Sequence, residues 1–110
     1  MKQLEPFWHE PELEQPEEGE KVAFHLRPLN MRALYRMRRA LDDRGLPTDE
    51  CVDVAIAHII GWKNAPIEYS PQVRDRLFDG APDVRWLLWL AELTGVLYAR
   101  ALVPESERKN

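Results

Sequence analysis

The run from Pro82 to Val103, PDVRWLLWLAELTGVLYARALV, constrains this chain more than any other stretch. It is the most apolar part of the chain and the longest without an internal proline. Read at helical spacing, it carries two apolar faces. Val84, Leu87, Leu88, Ala91, Tyr98 and Leu102 recur at intervals of three and four, and Trp86, Trp89, Leu93 and Val96 form a second row on roughly the opposite side. Charge enters the run only at Asp83, Arg85, Glu92 and Arg100. A small domain readily covers one such stripe with its own elements, and covering both is harder. Two readings are open: a core helix wrapped on all sides, or a helix that keeps one stripe for another molecule. Because tryptophan is favoured at interface hot spots, the Trp86, Trp89, Leu93, Val96 row is the candidate partner-binding face. The run is also long enough for a bilayer, since about 20 residues span about 30 Å. However, Glu92 would sit near mid-membrane, where a charge costs about 2.5–3.5 kcal/mol. A membrane span is therefore not expected.

The remaining chain sets the size of the problem. Its 110 residues suit one domain with a modest core, and 45 % hydrophobic with 31 % charged residues is ordinary for a globular protein. The net charge of −4 gives no bulk electrostatic case for nucleic acid. The single cysteine, Cys51, excludes an internal disulfide framework and suits a reducing compartment. The first 20 residues lack the apolar core of a secretory signal. They hold seven glutamates against Lys2, whereas residues 21–110 hold 14 Lys and Arg against 12 Asp and Glu. The acidity belongs to the leading segment. The expected organisation is an acidic, proline-punctuated segment over 1–20, a single mainly helical domain over 21–103 and a polar tail over 104–110.

In order along the chain, Pro6, Pro11 and Pro16 disfavour helix in the first segment. Phe7 and Trp8 are expected to anchor a short extended piece, and His9 to Glu20 to form a mobile acidic loop. Lys21 to Arg27 alternates, with Val22, Phe24 and Leu26 on one side, and predicts a half-buried strand. Its partner is either the piece near Leu4 to Trp8 or another copy of the chain. Asn30 caps a predicted helix from Met31 to about Arg44, stopped by Gly45 and Pro47. Ala33, Leu34, Met37, Ala40 and Leu41 make its inward stripe. Arg32, Arg36 and Arg39 line another face, as a candidate electrostatic contact or a solvated surface. Thr48 caps the next helix, with Val52, Ala55, Ile56 and Ile59 inward and Gly61 at its end. Trp62 to Tyr69 reads as a loop with two aromatic anchors that join the candidate partner-binding set. Ser70 and Pro71 open a further helix that Gly80 closes. The fold class predicted is mainly α, a compact bundle of about four helices with a short N-terminal β-strand or hairpin.

Chemistry-bearing motifs are not evident. The five glycines are scattered singly, so no phosphate-cradling loop is present, and neither HExxH nor paired CxxC occurs. Cys51, His58 and His25 make a poor zinc set, since structural zinc uses four ligands in close pairs. Cys51 reads as a small buried residue rather than a nucleophile. The expectation is a non-enzyme with no cofactor and no metal.

The passage IIGWKNAPIEYSPQVRDRLFD, preceded by FHLRPLN, resembles the tail assembly chaperones of long-tailed bacteriophages. In that family a helix ends in Gly-Trp, a short loop carries a Pro-aliphatic-x-Tyr-Ser step, and a helix with a Leu-Leu or Leu-Phe pair follows. Here the step is Gly61, Trp62, Pro66, Ile67, Tyr69 and Ser70, and the likeness runs from about Ala23 to Phe78. The loop is shorter than in similar proteins, with only Lys63, Asn64 and Ala65 before the proline. The resemblance implies a small, mainly helical, non-catalytic protein of the infected bacterial cytoplasm, not carried in the mature virion. It implies binding to the tape-measure protein, recruitment of tail-tube protein and self-association, and this chain would correspond to the short form of a pair related by frameshift. The alternative is a small regulatory or inhibitory protein that binds nucleic acid through the arginine row, or a nucleic-acid enzyme through the acidic arm.

Overall fold

The computed structural model describes residues 5–80 and 83–103, apart from the side chain of Phe78. The fold is mainly helical with a short N-terminal β-hairpin extended by a third strand. The order is β1 (Phe7–His9), β2 (Ala23–Leu26), α1 (Met31–Arg39), α2 (Asp49–Ala57), β3 (Ile59–Lys63), α3 (Pro71–Asp75), α4 (Leu77–Gly80) and α5 (Val84–Leu102). The expected tail over 104–110, Leu4 and Pro82 lie outside the described residues.

Strand β2 is the centre of an antiparallel sheet in the order β1-β2-β3, with Trp8 opposite His25 and Phe24 opposite Trp62. Both edges of β2 are thus paired within the chain, so pairing of this strand with a second copy is ruled out in this fold. Strand β3 replaces the expected helix end and loop. Its register with β2 slips between His25 and Leu26, which leaves Ile60 as the extra residue of a bulge. Helix α2 stops at Ala57 because His58 leaves helical geometry and Arg27 N–H donates to the His58 carbonyl, 2.8 Å, starting the ladder.

Helix α1 also ends earlier than expected. Asp42 Oδ1 accepts from the backbone N–H of Arg44 and of Leu46, 2.9 and 2.8 Å, giving the chain a turn in place of another helical turn. Gly45 completes that turn at a φ of +80°. Asn30 caps α1 through the Ala33 N–H. Thr48 stands at the N-cap of α2 but spends its hydroxyl on the Ala40 carbonyl, 2.6 Å, tying the α1 end to the α2 start. Ser70 caps α3 with Pro71 at its first position. One expected helix is two short ones, since Arg76 breaks the turn between α3 and α4.

Phe24 and Trp62 of the sheet meet Trp86 and Trp89 of α5, Leu26 and Ile59 join the same core, and α2 packs on the helix from another side. An aromatic cluster forms the middle of this core. The Phe24 ring meets Trp62, Trp86 and Trp89 edge-on at 5.8–6.1 Å, and the Trp86 ring lies 5.1 Å from Trp62 and 5.0 Å from Trp89. Such pairs add about 0.5–1.5 kcal/mol each beyond the area they bury. Trp8 stacks on His25 at 4.4 Å, with Lys63 Nζ over the same indole at 4.6 Å from the centroid.

The acidic segment is held down rather than loose. Pro11 is buried, and Gln15 clamps the strand start through its amide, donating to the Pro11 and Val22 carbonyls and accepting from Val22 N–H. Trp89 Nε1–H donates to the Leu13 carbonyl, 3.0 Å. Glu92 accepts from the Glu12 N–H at 3.1 Å and pairs with His9 Nε2 at 2.6 Å. Proline spacing shows that the segment avoids helix, but says nothing of these long-range anchors.

Candidate partner-binding surface

Helix α5 starts where Asp83 Oδ1 accepts from Arg85 N–H, and it runs unbroken for 19 residues because no proline or charge cluster interrupts it. The Arg85 guanidinium bound to the Asp83 carboxylate holds that carboxyl below its ordinary range, and the Arg85 pKa is raised in turn. The two faces of the helix have opposite fates. Trp86, Trp89 and Leu93 are 0 % exposed, packed against the sheet, and Val96 is half-buried. The expectation that this row forms an exposed partner face is therefore corrected. The sheet and the leading segment, a strap tied to α5 through His9, Glu12 and Leu13, together supply the cover that a purely helical reading could not provide.

The other row faces out. Val84, Leu87 and Leu102 are 65, 51 and 50 % exposed, Ala91, Gly95 and Ala99 are exposed, and Leu88 and Tyr98 are half-buried. Steps of three and four join all eight on one side of the helix. None carries a charge. Arg85, Glu92 and Arg100 fall to one flank, where Glu92 holds the strap and Arg100 lies over the Phe7 ring at 3.9 Å. The result is an uncharged strip about 27 Å long, at 1.5 Å per residue. Gly95 and Ala99, outside the expected row, continue it from Ala91 at steps of four. That spacing marks both as members of the stripe, without saying which stripe turns outward.

Trp62 and Tyr69, also expected to touch a partner, are structural. Trp62 is buried and donates from Nε1 to the Ile67 carbonyl, 2.6 Å, and the half-buried Tyr69 packs edge-on against it at 4.9 Å. The passage from Asn64 to Ser70 that follows β3 is thus pinned by the Trp62 indole. Gly61 lies opposite His25 in the ladder, and Ser70 accepts from Val73 N–H.

Arg32, Arg36 and Arg39 are exposed on α1, and no carboxylate among the described residues pairs with them. Arg39 instead lies over Tyr35 at 5.7 Å. Beside them an open cleft of about 380 Å³ separates α1 from α2. Its walls carry Tyr35, Arg36 and Arg39 on one side and Glu50, Asp53 and Val54 on the other. The two carboxylates offset the two arginines, so the cleft is not a phosphate trap. Arg32 is not among its lining residues. His58 sits near Arg36 and Arg27, and its pKa is lowered, first by burial and further by those two cations, against its hydrogen bond to the Val54 carbonyl.

A second, smaller cleft of about 90 Å³ opens beside Gly95, between α5, the end of α1 and the start of α2. Cys51 lies in its wall, buried, with Sγ 3.4 Å from the Met37 carbonyl. No group of three metal-ligating side chains occurs among the described residues, and none of their helices is long and apolar enough to cross a membrane. Comparison with family models, with curated proteins and with solved structures found no match.

Proposed function

We propose that this protein is a non-catalytic binding protein that uses the outward strip of α5 to engage an apolar helical partner, acting as a phage tail assembly chaperone. The observation that carries the reading is the uncharged strip from Val84 to Leu102, exposed over the full length of the longest helix. An apolar patch of this kind is often functional on a monomer, and an amphipathic helix docks on one by its own apolar side. The Gly61-Trp62 and Pro66-Ile67-x-Tyr69-Ser70 sequence resemblance supports the more specific identity, with the departure that Gly61 and Trp62 lie in strand β3 and not at a helix end. On this reading the partners are the tape-measure protein and tail-tube subunits, the protein self-associates, and it works in the host bacterial cytoplasm without entering the virion.

The direct test is co-expression with a phage tape-measure protein. The soluble fraction of that client should rise with the wild-type protein and should not rise with Leu87→Lys, which puts a charge into the strip. A client equally insoluble alone, with the wild-type protein and with Leu87→Lys would sink the proposal.

The regulatory reading keeps one supporting observation, the exposed Arg32, Arg36 and Arg39 without carboxylate partners among the described residues. Glu50 and Asp53 in the adjoining cleft weigh against it. Binding through those arginines would weaken steeply with salt, so the lack of an electrophoretic shift at low salt removes that reading.

A further inference from the structure

Gly95 sits in the middle of α5 at a considerable local disadvantage. A glycine inside a helix is less stable than alanine there by about 0.5–1 kcal/mol. Nothing in the described chain requires it. Its φ is not positive, and a Cβ built on it would meet no atom within 4 Å. The residue is exposed, so no close internal packing explains it. It does lie at the mouth of the 90 Å³ cleft, whose walls include Met37, Leu41, Cys51, Thr94 and Tyr98.

The cleft has the character of a receptor for hydrocarbon. All of its lining side chains are uncharged, and the Thr94 hydroxyl is already committed to the Leu90 carbonyl at 2.8 Å. Waters inside would find few of the two to four polar partners that each needs. The volume is well below the ~150 Å³ that admits a benzene in an apolar cavity. That leaves room for a branched or linear aliphatic group and excludes an indole.

The area of the strip decides what carries that group. At about 27 Å by one helix width of about 10 Å, it offers roughly 300 Å² a side, or about 600 Å² in total, on helix dimensions. Stable pairing of two globular partners takes about 1,200 Å² or more. A second copy of this chain pressed onto the strip alone is therefore not held, and an occupant of so small an area needs its affinity concentrated at one anchored point. Ala91, Gly95 and Ala99, spaced by four, let a helix axis come close enough to place such an anchor.

We propose that the cleft beside Gly95 is the socket for one aliphatic side chain, of leucine or methionine size, carried on the uncharged face of a partner helix lying along α5. The proposal rests on the reading of this strip as a partner surface and names the point where its affinity resides. Glycine is kept at position 95 because a methyl there would narrow the mouth of the socket and lift the partner away.

The probe is a fluorescent 21-residue helical peptide with a leucine-alanine face and a lysine-glutamate face, with each leucine replaced in turn by alanine. Its binding is measured to the full-length protein, to Gly95→Ala and to Leu87→Lys. One leucine should dominate, its loss weakening binding at least tenfold. Gly95→Ala should weaken the parent peptide at least tenfold while raising the Tm by a few degrees, as a helix-favouring change does. Undiminished binding by Gly95→Ala, with Leu87→Lys impaired, would overturn the socket and leave the surface standing. Failure of the wild-type protein to bind any peptide would overturn both. A fall in Tm for Gly95→Ala would show that the fold itself needs the glycine, and would likewise overturn the proposal.

Discussion

The inward and outward faces of α5 are both apolar, and only one is covered. The inward face presents Trp86, Trp89 and Leu93 to the sheet; the outward one presents Val84, Leu87, Ala91, Gly95 and Leu102 to solvent. The difference lies in size at the centre of each row. An indole buries about 150–250 Å², worth about 4–6 kcal/mol at ~25 cal/mol per Å². The middle of the outward row is two alanines and a glycine, which would gain little from an internal cover. The sheet, with Phe24 and Trp62 facing in, therefore packs on the indoles, and the helix is left with its small residues outward. Hydrophobicity alone does not orient a two-faced helix. The area at stake on each side does.

The largest expected effect tests that asymmetry directly. Trp86→Ala or Trp89→Ala should each destabilise by about 3–5 kcal/mol, the range for removing a large buried aromatic. Against a total of about 5–15 kcal/mol for a small domain, this lowers the urea midpoint by a large fraction or abolishes a cooperative transition. On the outward face Leu87→Lys and Val84→Lys should stay within about 0.5 kcal/mol of wild type, while client solubilisation is lost. If the outward variants melted like the inward ones, the two faces would not differ as described.

A smaller effect concerns the strap that completes the inward cover. Glu92 accepts from His9 and from the Glu12 N–H across a gap of some 80 residues in sequence. Glu92→Gln removes the charge and one acceptor oxygen, and should cost about 1–2 kcal/mol, in line with hydrogen bonds to charged groups. Hydrogen exchange at the Glu12 amide should quicken in the variant. Unchanged exchange there would mean that the carboxylate does not hold the strap.

These contacts mark where the sequence could be read and where it could not. The capped starts at Asn30 and Ser70 were legible because a side-chain oxygen three residues ahead of the backbone N–H that donates to it is a local signal. The period-two alternation over Val22 to Leu26 was legible for the same reason. Strand β3 was not, because IIGWK is short and its central Gly61 reads as a helix stop, while its strand geometry depends on pairing with β2. The early end of α1 escaped notice because Asp42 looks like a surface charge until its two backbone bonds are seen. The two stripes of α5 were both visible at helical spacing, but a helical wheel has no neighbours. Which stripe turns inward depends on a three-stranded sheet assembled from residues 7 to 63, and the tryptophans were assigned to the wrong environment for that reason.

The two indoles of the inward face also differ from each other. Trp89 Nε1–H donates to Leu13, whereas Trp86 Nε1 is buried without an acceptor among the described residues. Trp89→Phe loses a hydrogen bond along with some packing; Trp86→Phe removes an unsatisfied donor along with some packing. Trp89→Phe should therefore be the more destabilising by about 1 kcal/mol, read from paired urea midpoints. Equal losses would mean that packing alone decides both positions.

The smallest effect lies away from both faces and serves as their reference. The His58 pKa is lowered in the folded protein, chiefly by burial and further by Arg27 and Arg36, so the folded state resists the proton that the unfolded chain takes near pH 6.5. The sign follows from linkage: the stability contribution is fully present above about pH 6.5 and is lost as pH falls toward the lowered folded value. His58→Gln cannot titrate, so its Tm should fall less than that of the wild type between pH 7 and pH 5. The Leu87→Lys variant, on the outward strip, should keep the wild-type slope. A wild-type slope matching that of His58→Gln would show that this imidazole carries no share of the pH dependence, and any change of slope in Leu87→Lys would couple the outward face to the core in a way that its exposure does not allow.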